Sequence, residues 1–475
     1  MSPSDRPAPH ERLSAGAWRW AACAVVAIAV LARWPGLSTW SLWEDEEATI
    51  YYALNPHKAF PSFFPVFFLS LRAAFAVSGV SVDAARLFSA GVGLLSLWIA
   101  YYWIRRLFDR DVALVAVFLL AINPGHVFWS QSVRYYTALL GFEVLSLHWF
   151  FRGFEERRPV LLLLANVAFV LALLTHFSAL LLIPVFVGYL GLTMVAPRVV
   201  PRYAPTSYVV FGAALLLEIA FFAGRVAALQ QLLGGGGGLA SARDPGHVLV
   251  TVLAYFGAPL MLVAFLGPFV ARRRIGPAPA LMLVTAAVPV LELLVIAALG
   301  VINVTWYYGF VALVATAALA ADGIVALARR GARRWSAVMA AGPVVYSVAI
   351  LAIYFTTAHG DRPRWREAAA LMRSTGSIVT SGVNQTEVFA TAPNVLAFYL
   401  GVPADATQGQ TLVAVPDNAT VPAVLARDRW YVIPAFELTD PLRWSLEERC
   451  TLEAALEART GPRDRTLRVY RCRAA

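Results

Sequence analysis

Trp43-Glu44-Asp45-Glu46-Glu47 sets four carboxylates side by side shortly after the first long apolar run of the chain. Two kinds of chemistry suit such a cluster. It is either a solvated acidic patch that helps orient the preceding span, or the mouth of an outward-facing cavity where Asp45 and Glu46 act as general base or metal ligand. Basic groups recur along the same sequence. Lys58 is the only lysine among 39 basic side chains, so a composition that otherwise uses arginine keeps one compact ammonium, a group that binds phosphate as a point charge. Arg33, Arg86 and Arg134 interrupt apolar sequence and must each face water, a carboxylate or a lipid phosphate; the plainer alternative is a side chain that snorkels to the interface. His57, Tyr135, His176 and Tyr307 add polar and aromatic groups near the same ends of the apolar runs.

Asp45, Glu46 and His57 are hard ligands in principle, but no tight ligand spacing like that of a metalloprotease helix is present. No metal or other cofactor is therefore assigned, and a divalent ion stays open. Glu143, Glu218 and Glu292 fall inside apolar runs, where in a transporter they would serve a proton or ion relay. Glu218 and Glu292 lie in the outer parts of their runs and could equally line a cavity open to the outside.

A membrane has to position these groups. With 59% hydrophobic residues, 14% charged residues and a mean hydropathy of +0.65, the 475 residues carry more apolar surface than one soluble core can bury. Charges and turn residues divide the sequence into eleven apolar runs: Ala15–Ala32, Leu87–Ile104, Val112–Trp129, Tyr135–Phe151, Val160–Leu174, Phe177–Val195, Tyr203–Ala223, Val248–Val270, Pro279–Leu299, Tyr307–Leu327 and Trp335–Thr356. Every second connection is short and rich in arginine, with Arg105, Arg106 and Arg110, then Arg152, Arg157 and Arg158, then Arg198 and Arg202, then Arg272 to Arg274, then Arg329, Arg330, Arg333 and Arg334. All five fall on one face, which the positive-inside rule makes cytoplasmic, together with the N-terminus. The same arginines account for the net charge of +10 and the pI of 9.7 without nucleic acid, since no basic run is interleaved with aromatic platforms.

The expected architecture is mainly α, a polytopic membrane helical bundle of eleven transmembrane helices with a small C-terminal α/β domain. Residues 1–14 form a cytoplasmic tail, 15–358 the membrane domain, whose external loop 33–86 carries the acidic cluster, and 359–475 an extracytoplasmic domain. Phe63–Val77, apolar but interrupted by Arg72, reads as an interfacial helix in that loop. In the C-terminal part, Trp365–Arg373, Asn394–Leu400 and Leu446–Arg459 read as helices, Ser377–Ser381 and Trp430–Pro434 as strands, and Thr466–Cys472 as an edge strand. Cys450 and Cys472 both fall there, and an oxidising compartment would permit one disulfide between them. Gly234–Gly238, after the amphipathic Arg225–Leu233, is either a flexible linker or a mobile cover. Asn303, Asn384 and Asn418 match the N-glycosylation pattern, but a bias to arginine and alanine points to a bacterial source, where the matches are coincidental.

The order of these features resembles the membrane-embedded C-type glycosyltransferases, in the branch of protein O-mannosyltransferases and lipid A aminoarabinose transferases. Ser41-Leu42-Trp43-Glu44-Asp45-Glu46 is similar to that branch's acidic signature, and Ser130-Gln131-Ser132-Val133-Arg134-Tyr135-Tyr136 to its Ser-Gln-x-x-Arg-x-Tyr element. Thr175-His176-Phe177 resembles its Thr-His-Tyr step, and Trp365-Arg366-Glu367-Ala368-Ala369 the element that opens its external domain. The chain departs from the branch at His57-Lys58-Ala59-Phe60-Pro61, where many relatives have His-Pro-Pro, and at Trp306-Tyr307-Tyr308, where relatives often have Arg-Tyr.

The resemblance implies an inverting transfer of a sugar from a polyprenyl-phosphate-linked donor to a lipid, glycan or protein acceptor at the external face of a bacterial cytoplasmic membrane. In that reading Asp45 is the general base and Glu46 positions the acceptor or a basic partner, with Glu44 and Glu47 as bystanders. Arg33, Lys58, Arg86 and Arg134 bind the donor phosphate without a metal, and His57, Tyr135, His176 and Tyr307 line the substrate cavity. Two other readings stand beside it. A transporter or flippase of lipid-linked sugars would depend on Glu143 or Glu292, and a non-catalytic envelope assembly protein on residues 359–475.

Overall fold

The computed structural model describes residues 14–233, 244–271, 275–300, 303–374, 387–390, 393–400, 412–414, 421–422, 428–459 and 464–473. Expectations placed on Gly234–Gly238, Arg272–Arg274, Ser377–Ser381, Asn384 and Asn418 lie outside the described residues. In chain order the helices are α1 (Ala15–Leu31), α2 (Glu44–Leu54), α3 (Ala59–Phe63), α4 (Pro65–Ser78), α5 (Val82–Leu107), α6 (Arg110–Ala121), α7 (Pro124–Gln131), α8 (Tyr136–Glu155), α9 (Pro159–Leu173) and α10 (Leu182–Val195). They continue with α11 (Pro205–Leu233), α12 (Pro245–Val252), α13 (Ala258–Ala271), α14 (Pro277–Leu299), α15 (Val311–Arg329), α16 (Arg333–Thr356) and α17 (Trp365–Ser374). After these come β1 (Glu387–Ala390), α18 (Pro393–Leu400), β2 (Leu412–Ala414), β3 (Arg429–Pro434), α19 (Asp440–Arg449), β4 (Thr451–Leu456) and β5 (Leu467–Cys472). Two compact units share the chain: Met1–Trp34 with Tyr52–Ala349, and Pro35–Tyr51 with Ile350–Ala475.

In the first unit every apolar run is helical, and the chain is a multi-pass membrane protein. Among the described residues seven helical segments are long and apolar enough to cross a membrane, or eight if the bent pair α6–α7 is one span. The expectation of eleven spans meets shorter helices at α1 and α9, and at α8 a helix that carries Glu143, Arg152 and Glu155 within its length. α15 is buried along most of its length because glycines admit its neighbour: a Cβ on Gly323 would come within 2.6 Å of the Gly267 Cα on α13. Arg329 at the end of α15 joins the start of α6, donating to Asp109 at 2.6 Å and to Asp111 at 2.8 Å. That use of a terminal arginine is additional to any topological role.

Two apolar runs break inside their length. The run 112–129 bends by 65° at Asn123-Pro124, since proline brings no N–H to continue α6 and Asn123 caps the new helix α7 by accepting from the His126 amide at 3.1 Å. Between α12 and α13 a π-helical turn, Leu253–Gly257, frees backbone carbonyls, and Gly257 there takes φ +92°. The Tyr346 hydroxyl donates to the Ala254 carbonyl at 2.7 Å and the Asn123 side-chain amide to the Phe256 carbonyl at 2.9 Å. Backbone groups inside a membrane must be satisfied in this way.

The second unit is built on a five-stranded sheet in the order β2-β1-β3-β5-β4. β1 runs parallel to β2 and β3, whereas β5 is antiparallel to both β3 and β4. Its core gathers Tyr431, Ile433, Leu438, Leu442, Leu446 and Tyr470. The helices at Trp365 and Asn394 and the strand at Trp430 form as the sequence suggests. Two expectations are corrected. The helix expected over Leu446–Arg459 is α19, which ends at Arg449, and the residues after it pair as β4 because Leu467–Cys472 offers them a ladder. β5 is thereby an interior strand, and the edge is β4. Cys450 and Cys472 form a disulfide that ties the start of β4 to the end of β5.

Candidate functional site

The acidic cluster belongs to the second unit, where Glu44, Asp45, Glu46 and Glu47 occupy the first turn of α2, the end of a helix that favours negative charge. Glu46 is fully buried and accepts from the Arg362 Nε at 3.2 Å, and Arg362 is itself fully buried. Arg362 also donates from Nη1 to the Gly360 carbonyl at 2.7 Å and to the Tyr354 hydroxyl at 3.2 Å, and it lies over the Trp40 ring at 5.5 Å. Burial opposes the charge on Arg362, but Tyr354 and Glu46 outweigh it and hold the guanidinium firmly protonated. Glu46 thus has a basic partner in Arg362.

The segment before α2 is tied to the one that opens α17. The Ser41 amide donates to His359 Nε2 at 3.3 Å, the Ser41 hydroxyl accepts from the Arg366 amide at 3.1 Å, and the Leu42 amide donates to the Tyr399 hydroxyl at 2.6 Å. Trp40 is wedged against two glycines in the left-handed region, Gly36 at φ +79° and Gly360 at φ +64°, where any Cβ would collide with its ring. Asp45, beside Glu46, is part-exposed. Glu44 is partly buried, its Oε1 lacks a hydrogen-bond partner among the described residues, and Arg465 lies over the adjacent Trp43 ring at 5.0 Å. Burial, followed by the charges of Glu437 and Asp45, pushes the Glu44 carboxyl up to about 7 despite its backbone hydrogen bond and Arg465. Glu47 is also raised by burial.

In the first unit a second cluster forms around the turn from α7 to α8. Arg134 stacks over the Tyr135 ring at 4.5 Å and lies 5.8 Å from that of Tyr136, with its Nη2 donating at 2.8 Å to the Tyr135 hydroxyl. Tyr135 stacks on His176 at 4.8 Å, and Tyr136 meets Tyr307 at 4.5 Å and Trp129 at 4.3 Å. Arg134, Tyr135, His176 and Tyr307 are thus brought together by three separate loops. Tyr136, Tyr308 and Trp306 join the same wall, and the aromatic doublets Tyr135-Tyr136 and Tyr307-Tyr308 were their signal.

Other assigned groups fare differently. His57 and Lys58 are exposed, with Lys58 at the start of α3, and Arg86 is buried near the start of α5. Arg33 is buried and bonded within the protein, donating from Nη1 to the carbonyls of Ala29 at 2.7 Å and Ala121 at 3.1 Å and from Nη2 to His126 Nδ1 at 2.8 Å. Among the described residues no three His, Cys, Asp or Glu side chains converge as a metal site, and Glu46 is committed to Arg362.

Residues 59–223, from α3 into α11, match the family model described as dolichyl-phosphate-mannose-protein mannosyltransferase. No curated protein matches the sequence. Among solved structures, ArnT from Cupriavidus metallidurans bound to undecaprenyl phosphate is similar over 96% of this chain and 98% of its own, with a TM-score of 0.56 at 15% identity. The chain has the fold of the membrane-embedded C-type glycosyltransferases. This C-type fold also aligns with the oligosaccharyltransferase AglB from Archaeoglobus fulgidus, in complex with an inhibitory peptide and dolichol-phosphate, at TM-score 0.57 and 12% identity over 88% of this chain and 69% of that one. The chain spans 64% of the length of the apo oligosaccharyltransferase from the same organism, at TM-score 0.56 and 14% identity. The family match contains Arg86, Arg134, Tyr135 and His176, while Asp45, Glu46 and Lys58 precede it.

Proposed function

We propose that this C-type chain transfers a sugar from a polyprenyl-phosphate donor to a lipid, glycan or protein acceptor at the external face of a bacterial cytoplasmic membrane. The observation that carries the reading is that Asp45 lies part-exposed in the first turn of α2, next to Glu46, whose carboxylate is held by the buried Arg362. In the reaction the Asp45 carboxylate takes the acceptor proton as the acceptor oxygen bonds to the anomeric carbon. The bond from that carbon to the phosphate oxygen breaks, its electron pair leaves with polyprenyl phosphate, and the anomeric configuration inverts. Arg134, with Lys58 and Arg86, supports the charge that grows on the departing phosphate, and Tyr135, His176, Tyr307 and His57 shape the pocket.

The fold supports a lipid-linked donor, since an isoprenoid tail stays in the bilayer while its phosphosugar meets polar groups at the boundary. The test is Asp45→Asn in the full-length protein, with cell-envelope lipids and glycans followed by mass spectrometry. Transfer is lost and undecaprenyl phosphate binding is retained; unchanged glycans would sink the assignment. One observation favours a transporter instead: Glu143 is buried in α8 and neither carboxylate oxygen has a hydrogen-bond partner among the described residues. Under that reading Glu143→Gln abolishes movement of a lipid-linked sugar, whereas Asp45→Asn has no effect.

A further inference from the structure

Arg33 lies far from the Ser-Gln-x-x-Arg element in sequence, yet it bonds to His126 and Gln131 on the helix that leads into that element. His126 receives the Arg33 Nη2–H at Nδ1, and a guanidinium can only donate, so Nδ1 is the bare nitrogen of a neutral ring and Nε2 carries the hydrogen. Nε2 meets the Ser96 hydroxyl on α5 at 3.2 Å, and that hydroxyl in turn donates to the Gly93 carbonyl at 2.7 Å. Ser130 donates to the His126 carbonyl at 2.7 Å, and the Gln131 amide donates to the Arg33 carbonyl at 3.1 Å. Arg33, Ser96, His126, Ser130 and Gln131 are all buried.

Two close approaches complete the clamp. A Cβ on Gly93 would fall 2.3 Å from the Ser130 hydroxyl, and one on Gly125 would fall 2.9 Å from the Tyr255 carbonyl and 3.0 Å from the Trp306 ring. α7 is thus held by α1 at Arg33, by α5 at Ser96 and Gly93, and by the π-helical turn at Asn123 and Gly125. Three residues beyond its end a tight turn, with the Arg134 amide donating to the Ser132 carbonyl at 2.7 Å, delivers Arg134 onto Tyr135. Any shift of α7 moves that guanidinium.

We propose that Arg33 and His126 are positioning residues, locked together against α7 so as to fix where Arg134 meets the anionic headgroup of a polyprenyl-phosphate lipid. The proposal rests on the donor reading given above. It replaces direct phosphate contact by Arg33 with action through Arg134, a difference that kinetics of single variants would not separate but a cycle does.

The experiment measures undecaprenyl phosphate affinity and melting temperature for the full-length protein in lipid nanodiscs, with Arg33→Lys, His126→Leu, His126→Gln, Arg134→Ala and the double variant Arg33→Lys/Arg134→Ala. Arg33→Lys and Arg134→Ala each weaken binding roughly tenfold, and the double variant is no weaker than Arg134→Ala alone, as expected of groups that act as one unit. His126→Gln, whose carbonyl still accepts from Arg33, recovers most of the affinity lost in His126→Leu. Losses that multiply in the double variant would show that Arg33 contacts the phosphate independently and overturn the proposal. So would a lower melting temperature with unchanged affinity, or equal losses in His126→Gln and His126→Leu, which also decides the matter if Arg33→Lys fails to fold. Wild-type protein that does not bind the probe would instead overturn the donor reading itself, and the proposal with it.

Discussion

At the scale of single residues, Glu46 and Asp45 are neighbours with opposite demands on them. Removing Glu46 strands a buried guanidinium, so Glu46→Leu costs roughly 3–5 kcal/mol of stability, while Asp45→Asn changes it by less than about 0.5 kcal/mol, as thermal unfolding of the full-length protein would show. Glu44 makes a pH-dependent contribution. Its carboxyl is raised to about 7 in the folded protein, so folding favours the protonated form and stability is lost as pH rises from the ordinary glutamate range through 7. Glu44→Gln removes that loss. It should stabilise the protein at pH 8 by about 1–3 kcal/mol relative to wild type and leave it unchanged near pH 4.5, and a gain that did not vary with pH would rule out titration as its cause. The acidic cluster and the lone lysine were legible because their types are rare in this composition. Arg362 was not legible as the partner of Glu46, since 316 positions separate them and nothing local marks the pair. Arg33 was legible as a cation in apolar sequence, but of its acceptors only the Ala29 carbonyl is local; the Ala121 carbonyl and the His126 imidazole reach it through tertiary packing.

Elements show the same division between local and non-local causes. α17 could be read from its amphipathic period alone, for Trp365, Ala368, Ala369 and Met372 form its buried face. β4 could not, because Thr451–Leu456 becomes a strand only when β5 is alongside. Asn123-Pro124 announces a break in sequence, whereas the π-helical turn carries no proline until after it ends. The turn on either side of Trp40 offers a test at this scale. Gly36→Ala and Gly360→Ala each place a side chain at positive φ and into the Trp40 ring, and each should cost at least about 1–2 kcal/mol in thermal unfolding. Trp40→Leu combined with Gly360→Ala should cost less than the sum of the single changes, since the collision is shared; strict additivity would mean that the backbone alone sets the penalty.

For the molecule as a whole, the disulfide places a constraint on where the second unit can mature. Cys450 and Cys472 are 22 residues apart, and closing a loop of that size stabilises the folded state by about 3 kcal/mol in the chain-entropy description. Cys450→Ser/Cys472→Ser should lower the unfolding temperature of the full-length protein, and reductant should lower the wild type's to match; a reductant effect that persisted in the double variant would point elsewhere. An extracytoplasmic site for this unit is consistent with such a bond.

The lashing of Ser41, Leu42 and Glu46 to His359, Arg362, Arg366 and Tyr399 joins stretches 316 to 357 residues apart. The acidic helix leaves the ribosome early, but its ion partner and the hydroxyl that holds Leu42 do not exist until nearly the whole membrane domain has been synthesised. A nascent chain therefore carries an unfinished acidic segment through every intermediate of insertion, and closing so long a loop is entropically slow. A chain that stops before Arg362 would leave Glu46 without its ion partner.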